Sequence, residues 1–109
     1  MIVDIKKSDR KNKRFKVLLD NGDIYHFGLI DGSTYIDHND EILRNNYIKR
    51  HYSLKKEKPF IKNLIPSPAL FSFYLLWGPY TSIEKNIKNL NKLLNKWLLF
   101  NINTINIYK

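Results

Sequence analysis

Four side chains with acid, base, phenol and imidazole chemistry recur between residues 40 and 51: Asp40, Arg44, Tyr47 and His51. At about 100° per residue, these positions fall on one narrow stripe of an α-helix. One interpretation is a structural network, in which Asp40 pairs with Arg44, Tyr47 packs its ring and the imidazole caps the helix end. The other is a phosphate site in which Tyr47 stacks or donates a hydrogen bond. Its basic donors would be Arg44, Lys49, Arg50 and His51.

Three histidines permit a mixed histidine and carboxylate metal site. They are His26, His38 and His51. Asp31, Asp37 and Asp40 lie close to His38 in sequence and could supply the carboxylates. The order Asp37-His38, then Asn45 or Asn46, then His51 is similar to that of ββα-metal nucleases, where a hairpin precedes a helix. That signature normally spaces its members more widely. A metal-dependent nuclease therefore remains a minor alternative, and we expect no catalytic residue, no metal and no cofactor. A candidate polar site remains, formed by Asp37, His38, Asp40 and Tyr47.

Lysines repeat along one face of the last amphipathic stretch, and we call this set the lysine ridge: Lys85, Lys88, Lys92 and Lys96. On a helix they would line about 16 Å of axis, which is comparable with a few successive phosphates. Binding to phosphates would depend strongly on salt and little on base sequence. Asn86, Asn89 and Asn95 between the lysines are further candidate donors. The alternative interpretation is a solvated helix face.

The charge of the chain indicates a polyanionic partner. Its 109 residues include 19 Lys and Arg against 10 Asp and Glu, a formal net charge of +9. Nucleic acid is the commonest polyanion inside cells. The heavy use of Asn, Ile and Lys is also what an AT-rich genome would produce, so part of the charge has an alternative origin.

Composition excludes some classes of protein. The chain has no cysteine, which excludes a disulfide framework, a thiolate zinc site and cysteine catalysis. The first seven residues lack the apolar core of a signal peptide. The length is that of a single domain, residues 1–109, with a core of its own.

A short helix over residues 68–77 is expected to form the centre of the fold. Ser67 can cap its first turn, Pro68 suits the first helical position and Gly78 can end it in a left-handed conformation. The residues between are apolar in every direction, apart from Ser72, which is typical of a buried helix. The run is too short to cross a bilayer.

The remaining elements predict an α+β fold. Asn21-Gly22 indicates a hairpin over residues 14–28 with positive φ at both positions. Apolar alternation buries Phe15, Val17 and Leu19 on one face. Further helices are expected over residues 40–51 and 82–98. The second should start at a capping box from Thr81 to Glu84. Its apolar face, which should pack on the core, consists of Ile83, Ile87, Leu90, Leu94 and Trp97. Short strands are expected at residues 2–6, 34–36 and 100–108.

Several short motifs follow one another in a fixed order along the chain: Tyr25-His26-Phe27-Gly28, Tyr35-Ile36-Asp37-His38-Asn39-Asp40, Arg44, Tyr47, Arg50-His51, Ser72, Tyr74-Leu75-Leu76-Trp77 and Ser82-Ile83. In order and spacing they resemble a family of small uncharacterised proteins encoded mainly by nucleocytoplasmic large DNA viruses, including giant viruses of protists and algae. The resemblance extends from Arg14 to Leu94 and does not include either end of the chain. It implies a viral protein made in an infected eukaryotic cell, and it implies no activity.

We therefore expect a small basic viral accessory protein, without enzymatic activity, that binds DNA or RNA mainly through phosphate contacts. The first alternative is a structural or interaction protein of the virion, in which exposed aromatic residues meet a partner chain. Those aromatic residues would be Tyr52, Trp77, Tyr80 and Trp97. The expected location is the host cytoplasm, the viral factory or the virion, with no attachment to a membrane.

Overall fold

A three-stranded antiparallel sheet packs against helices in the computed structural model, which describes residues 1–107 and the side chains of residues 1–99. The strands are β1 (Ile2–Lys7), β2 (Lys13–Leu19) and β3 (Ile24–Leu29), in the order β1-β2-β3. The helices are α1 (Tyr35–His38), α2 (Glu41–Ser53), α3 (Lys58–Lys62), α4 (Pro68–Phe71) and α5 (Ile83–Ile107). A π-helical segment, Ser72–Leu76, follows α4 directly. The predicted α+β class is confirmed.

The hairpin of β2 and β3 buries one face, as the alternation of apolar residues predicts. Val17 and Phe27 are fully buried, and Leu19 is nearly so. The predicted turn conformation is wrong in one respect, because Gly22 has a φ of +92° and Asn21 does not have a positive φ. The Gly22 N–H donates to the Leu19 carbonyl. This arrangement suits a three-residue loop whose last residue is left-handed.

The buried helix begins as predicted but changes its winding halfway. The Ser67 hydroxyl accepts from the Leu70 N–H at 3.1 Å, and Pro68 occupies the first turn. From Ser72 the winding is π-helical, and the Trp77 N–H donates to the Ser72 carbonyl five residues back. We call residues 68–76 the core segment. Its buried residues, which pack on the sheet and on α5, are Leu70, Phe71, Leu75 and Leu76.

The end of the core segment is shaped by close packing around Gly78. This glycine lacks the predicted left-handed conformation. A Cβ atom there would lie 2.1 Å from the Tyr74 carbonyl oxygen and 2.7 Å from Asn86 Oδ1. Gly78 is therefore required by lack of space rather than by its backbone dihedral angle.

Asn86 of α5 completes the hydrogen bonds at this point. Pro79 has no N–H to donate to the Leu75 carbonyl four residues back. Asn86 Nδ2 donates to that carbonyl at 3.0 Å instead, and also to the Tyr80 carbonyl at 2.8 Å. Its Oδ1 accepts from the Tyr80 N–H at 3.0 Å. Asn86 is 0% exposed, so it is not the phosphate donor that the sequence suggested.

The amphipathic character of α5 is confirmed over its first half. Leu90 is fully buried, and Ile83, Ile87 and Leu94 pack against the core. Trp97 does not complete this face as predicted, because it remains 40% exposed.

Several predicted boundaries are wrong. Residues 34–36 are not a strand, because the Thr34 hydroxyl and the Asp37 carboxylate cap α1. Residues 100–107 continue α5 instead of forming a strand, since no glycine or proline interrupts the helix, and Tyr108 lies outside the described residues. Ser82, not Thr81, accepts from the first turn of α5. Helix α3, within residues 58–62, was not predicted.

A bidentate ion pair attaches α1 to the sheet. Arg14 on β2 donates to the two carboxylate oxygens of Asp37 at 2.7 and 2.6 Å. The same carboxylate accepts from the Thr34 N–H and hydroxyl, each at 2.9 Å. The Arg14 guanidinium, with these two donors, holds the pKa of Asp37 well below its usual range.

Replacing Asn86 by alanine should destabilise the protein by about 2–4 kcal/mol, because buried carbonyls would lose their donors. Urea unfolding followed by circular dichroism would measure the loss. Asn95→Ala, at an exposed position of the same helix, should change stability by less than about 0.5 kcal/mol. Equal effects of the two substitutions would contradict the structural role of Asn86.

Asp37→Asn should lower stability by about 1–2 kcal/mol at neutral pH, through loss of the ion pair and the cap. Because folding depresses the pKa of Asp37, its contribution is present above the unfolded pKa of about 4 and declines as the pH falls below it. In unfolding curves of both proteins, the difference in unfolding free energy should therefore become smaller as the pH is lowered from about 4 to about 2.5, without vanishing. Asp31→Asn, at an exposed position with no hydrogen bond among the described side chains, is the control, and its difference from the original protein should not shrink in this way.

Candidate nucleic-acid interface

The lysine ridge is exposed along the first half of α5. Lys85, Lys88, Lys92 and Lys96 all point away from the core, because Leu90 and its apolar neighbours occupy the opposite face. Glu84 is the only acidic residue of this helix, and its carboxylate accepts from the Ser82 hydroxyl at 3.0 Å. The ridge therefore presents positive charge without an ion-pair partner among the described residues.

A shallow groove of about 350 Å³ runs beside the ridge. It is lined by Tyr80, Lys85, Lys88, Asn89 and Lys92. Tyr80 is 47% exposed, and its backbone is fixed on both sides by the Asn86 amide. Tyr80 thus shares the groove with three ridge lysines on a fixed backbone, although it was predicted only to contact a partner protein.

The N-terminus lies next to the same face of α5. Asn91 accepts from the Ile2 N–H at 2.9 Å and donates to the Ile2 carbonyl at 3.0 Å. A second shallow depression there is lined by Met1 together with Lys88 and Lys92. The hydrogen bonds of Asn91 therefore attach β1 to α5. The Met1 ammonium is paired with Asp20 at 2.8 Å, so it adds no unpaired charge to the ridge.

The polar stripe on α2 serves the fold at its N-terminal end. Asp40 is the N-cap and accepts from the Ile42 and Leu43 N–H groups at 2.9 and 3.2 Å, rather than pairing with Arg44 as predicted. Arg44 Nε instead donates to the Trp77 and Gly78 carbonyls at 3.1 and 2.9 Å. Arg44 therefore joins α2 to the end of the core segment through Nε.

Tyr47 occupies the middle of a stack of rings. Its ring lies 4.2 Å from Trp77 at an interplanar angle of 5°, and 4.0 Å from His51 on the other side. Burial in this stack raises the pKa of the Tyr47 phenol well above its usual range. The phenol is therefore a neutral hydrogen-bonding group at physiological pH.

The two histidines of the predicted site are held separately. His38 Nδ1 accepts from the Asp40 N–H at 2.9 Å, and its ring packs 5.4 Å from Trp77. Its Nε2 is buried without a hydrogen-bond partner among the described residues. His51 lies 2.5 Å from the Glu57 carboxylate through Nδ1, so it does not cap the carbonyls of α2 as the structural interpretation supposed.

The side chains that a metal-dependent nuclease would use are bound to other partners in the structure. The carboxylate of Asp37 is bound by Arg14, that of Asp40 by backbone N–H groups, and the imidazole of His51 by Glu57. In the part of the chain that the structure describes, no group of three or more His, Asp or Glu side chains is arranged to hold a metal ion.

A cavity of about 300 Å³ opens between the C-terminal half of α2, the loop after β3 and the π-helical segment. We call it the α2 cavity. Among the predicted site residues, Tyr47, Arg50 and His51 line it, whereas Arg44 and Lys49 do not. Further lining residues were not among those predicted for the phosphate site or the polar site: Leu29, Ser33, Thr34, Ser72, Leu76 and Trp77. Ser72 was recognisable as the one small polar residue of an apolar helix, but Ser33 carried no signal.

None of the helices within residues 1–107 combines the length and apolar character that a bilayer crossing requires.

Comparison with known proteins finds a family model that matches part of the chain. Residues 3–51 match the model of a family of unknown function, DUF5754. The matched segment contains the sheet, α1 and α2 as far as His51, and it ends before the core segment and α5, whereas the expected resemblance ran from Arg14 to Leu94. No curated relative and no solved structure is significantly similar to the chain. The match confirms the expectation of an uncharacterised domain, and residues 3–51 of this protein are similar to DUF5754.

Proposed function

We propose that this protein is a small basic accessory protein, without enzymatic activity, that binds nucleic acid mainly through phosphate contacts. The observation that carries the proposal is the exposure of all four ridge lysines on one face of a helix whose other face is docked on the core. The formal net charge of +9 adds a long-range attraction to any polyanion.

The geometry of the ridge favours contacts to successive phosphates. The four ammonium groups are distributed over about three turns of helix, and the rigid docking of α5 keeps them on one side. Each phosphate that a lysine neutralises releases condensed counterions. Four such contacts correspond to a slope of about −3 in log K against log salt concentration for a single strand.

The exposed ring of Tyr80 favours a single strand over a duplex. Bases of a single strand can stack on an aromatic side chain while the backbone follows a positively charged groove. Tyr80 stands among Lys85, Lys88 and Lys92, and the stacked bases of a duplex would not be accessible to it.

A role in cells infected by a large DNA virus is part of the proposal. It is supported by the motif resemblance between Arg14 and Leu94. The protein would act in the host cytoplasm or the viral factory.

A second candidate function is a structural or interaction protein of the virion. It is supported by large apolar side chains exposed on α5, where Leu98 and Leu99 are 57% and 52% exposed and Trp97 is 40% exposed. Trp77, which was expected to meet a partner, is instead covered by Tyr47. Retention in purified particles after nuclease treatment would favour this candidate over nucleic-acid binding.

The double substitution Lys88→Ala/Lys92→Ala should weaken binding of oligothymidylate by at least about tenfold at 0.1 M salt, because two phosphate contacts are lost. The salt slope should become less steep by about 1.4. Fluorescence anisotropy titrations at several salt concentrations would measure both quantities. Tyr80→Ala should weaken binding of the single strand and leave duplex binding unchanged.

A matched control separates the ridge from net charge. Lys62→Ala, on the exposed surface of α3, removes the same type of charge and should have at most a small effect. The matched comparison is with Lys88→Ala alone, which also removes one lysine. Binding that is indifferent to salt, or that Lys62→Ala weakens as much as this single ridge substitution does, would overturn the proposal.

A further inference from the structure

The α2 cavity collects hydrogen-bond donors that the protein itself does not use. Arg50, Ser33, Ser72 and Tyr47 line it. None of these four side chains makes a hydrogen bond or ion pair with another described residue. Arg50 on α2 is exposed, and Ser72, which begins the π-helical segment, is partly buried.

The number and origin of these donors favour a tetrahedral oxyanion. A planar carboxylate offers two oxygens and is satisfied by a guanidinium alone. Here three hydroxyl groups come from different elements: the loop after β3 supplies Ser33, α2 supplies Tyr47 and the core segment supplies Ser72. A phosphate monoester has three terminal oxygens, enough to accept from these hydroxyls and from the guanidinium of Arg50 together.

The walls leave room for the group that the phosphate carries. A volume of about 300 Å³ lies at the lower end of the range for small-molecule sites, about 300–1,000 Å³. Leu29, Leu76 and Trp77 add apolar surface beside the donors. A cavity of this composition suits a compact organic phosphate.

The acidic groups near the cavity are hydrogen-bonded to partners of their own. Burial, and to a lesser extent the Glu57 carboxylate, raises the pKa of the Tyr47 phenol, but that carboxylate is hydrogen-bonded to His51 Nδ1 at 2.5 Å and does not line the cavity. Asp37 is bound by Arg14 and by Thr34. An incoming anion would therefore meet the charge of Arg50 without a competing free carboxylate on the wall.

We infer that the α2 cavity binds a phosphate monoester, supplied either as a free small molecule or as the terminal phosphate of a nucleic-acid strand. Arg50 provides the charge, and the hydroxyls of Ser33, Ser72 and Tyr47 orient the phosphate. Binding in this cavity is independent of the lysine ridge, which would contact phosphodiesters along a strand.

Trp77 provides a spectroscopic signal for the test. In a Trp97→Phe background it is the only tryptophan, and its ring lines the cavity. Adenosine monophosphate and inorganic phosphate should change its fluorescence saturably, and adenosine should not. Arg50→Ala should weaken the affinity for adenosine monophosphate by at least about tenfold, the loss expected of a charged hydrogen bond.

Two further variants keep the test independent of folding. Arg10→Ala removes an exposed arginine without an ion-pair partner among the described residues and should leave the affinity unchanged. Tyr47→Phe retains the ring stack and removes only the hydroxyl, so it should weaken binding while the circular dichroism spectrum stays the same. Equal affinity for adenosine and adenosine monophosphate, or equal effects of Arg50→Ala and Arg10→Ala, would overturn the inference.

The source of the phosphate is decided by comparing oligothymidylate with and without a 5′-phosphate. An Arg50-dependent preference for the phosphorylated strand that exceeds the affinity for adenosine monophosphate would assign the cavity to strand ends. Binding of adenosine monophosphate without such a preference would assign it to a free small molecule. If none of the phosphate compounds perturbs Trp77, the cavity is not a phosphate site. Because Lys88→Ala/Lys92→Ala should not alter the response to adenosine monophosphate, failure of this inference is distinguishable from failure of the ridge to bind nucleic acid.

Discussion

The carbonyl groups at the C-terminal end of the core segment find no hydrogen-bond donors within that segment. The donors come from α5 and α2 instead, and this requirement determines how the two helices pack. Pro79 has no N–H for the Leu75 carbonyl. An amide from α5, Asn86, donates to it, and a guanidinium from α2, Arg44, donates to the Trp77 and Gly78 carbonyls. Buried carbonyls without donors are costly, so both flanking helices are held against one short stretch of backbone.

This attachment determines which surfaces are free. Because Asn86 and Leu90 turn one face of α5 inwards, the lysines on the other face remain in water. The same Asn86 amide fixes Tyr80 beside them. On the other side, Arg44 and the stacked rings of Tyr47 and Trp77 hold α2 against the core segment, which leaves the α2 cavity below the last turns of the helix.

The polar stripe on α2 shows how residue type alone can mislead. Arg44 and Arg50 have the same side chain and lie on the same helix. Arg44 donates hydrogen bonds to backbone carbonyls, whereas the side chain of Arg50 is unpaired among the described residues. Asp37 and Asp40 likewise serve an ion pair and a helix cap. The side chains available for a ligand are those left over once the structural hydrogen bonds have been made, and periodicity does not identify them.

Local patterns in the sequence determined the hairpin, the buried helix started by Ser67 and Pro68, and the amphipathic α5 with its exposed lysines. Each of these depends on turn chemistry, capping or apolar spacing within a few residues. Only the tertiary structure decided that Asn86 is buried, that Gly78 is required by space, that residues 35–38 form a helix against Arg14, and that Ser33 and Ser72 share a cavity with Arg50. Those features depend on contacts between residues far apart in the chain, for which a single sequence carries no local signal.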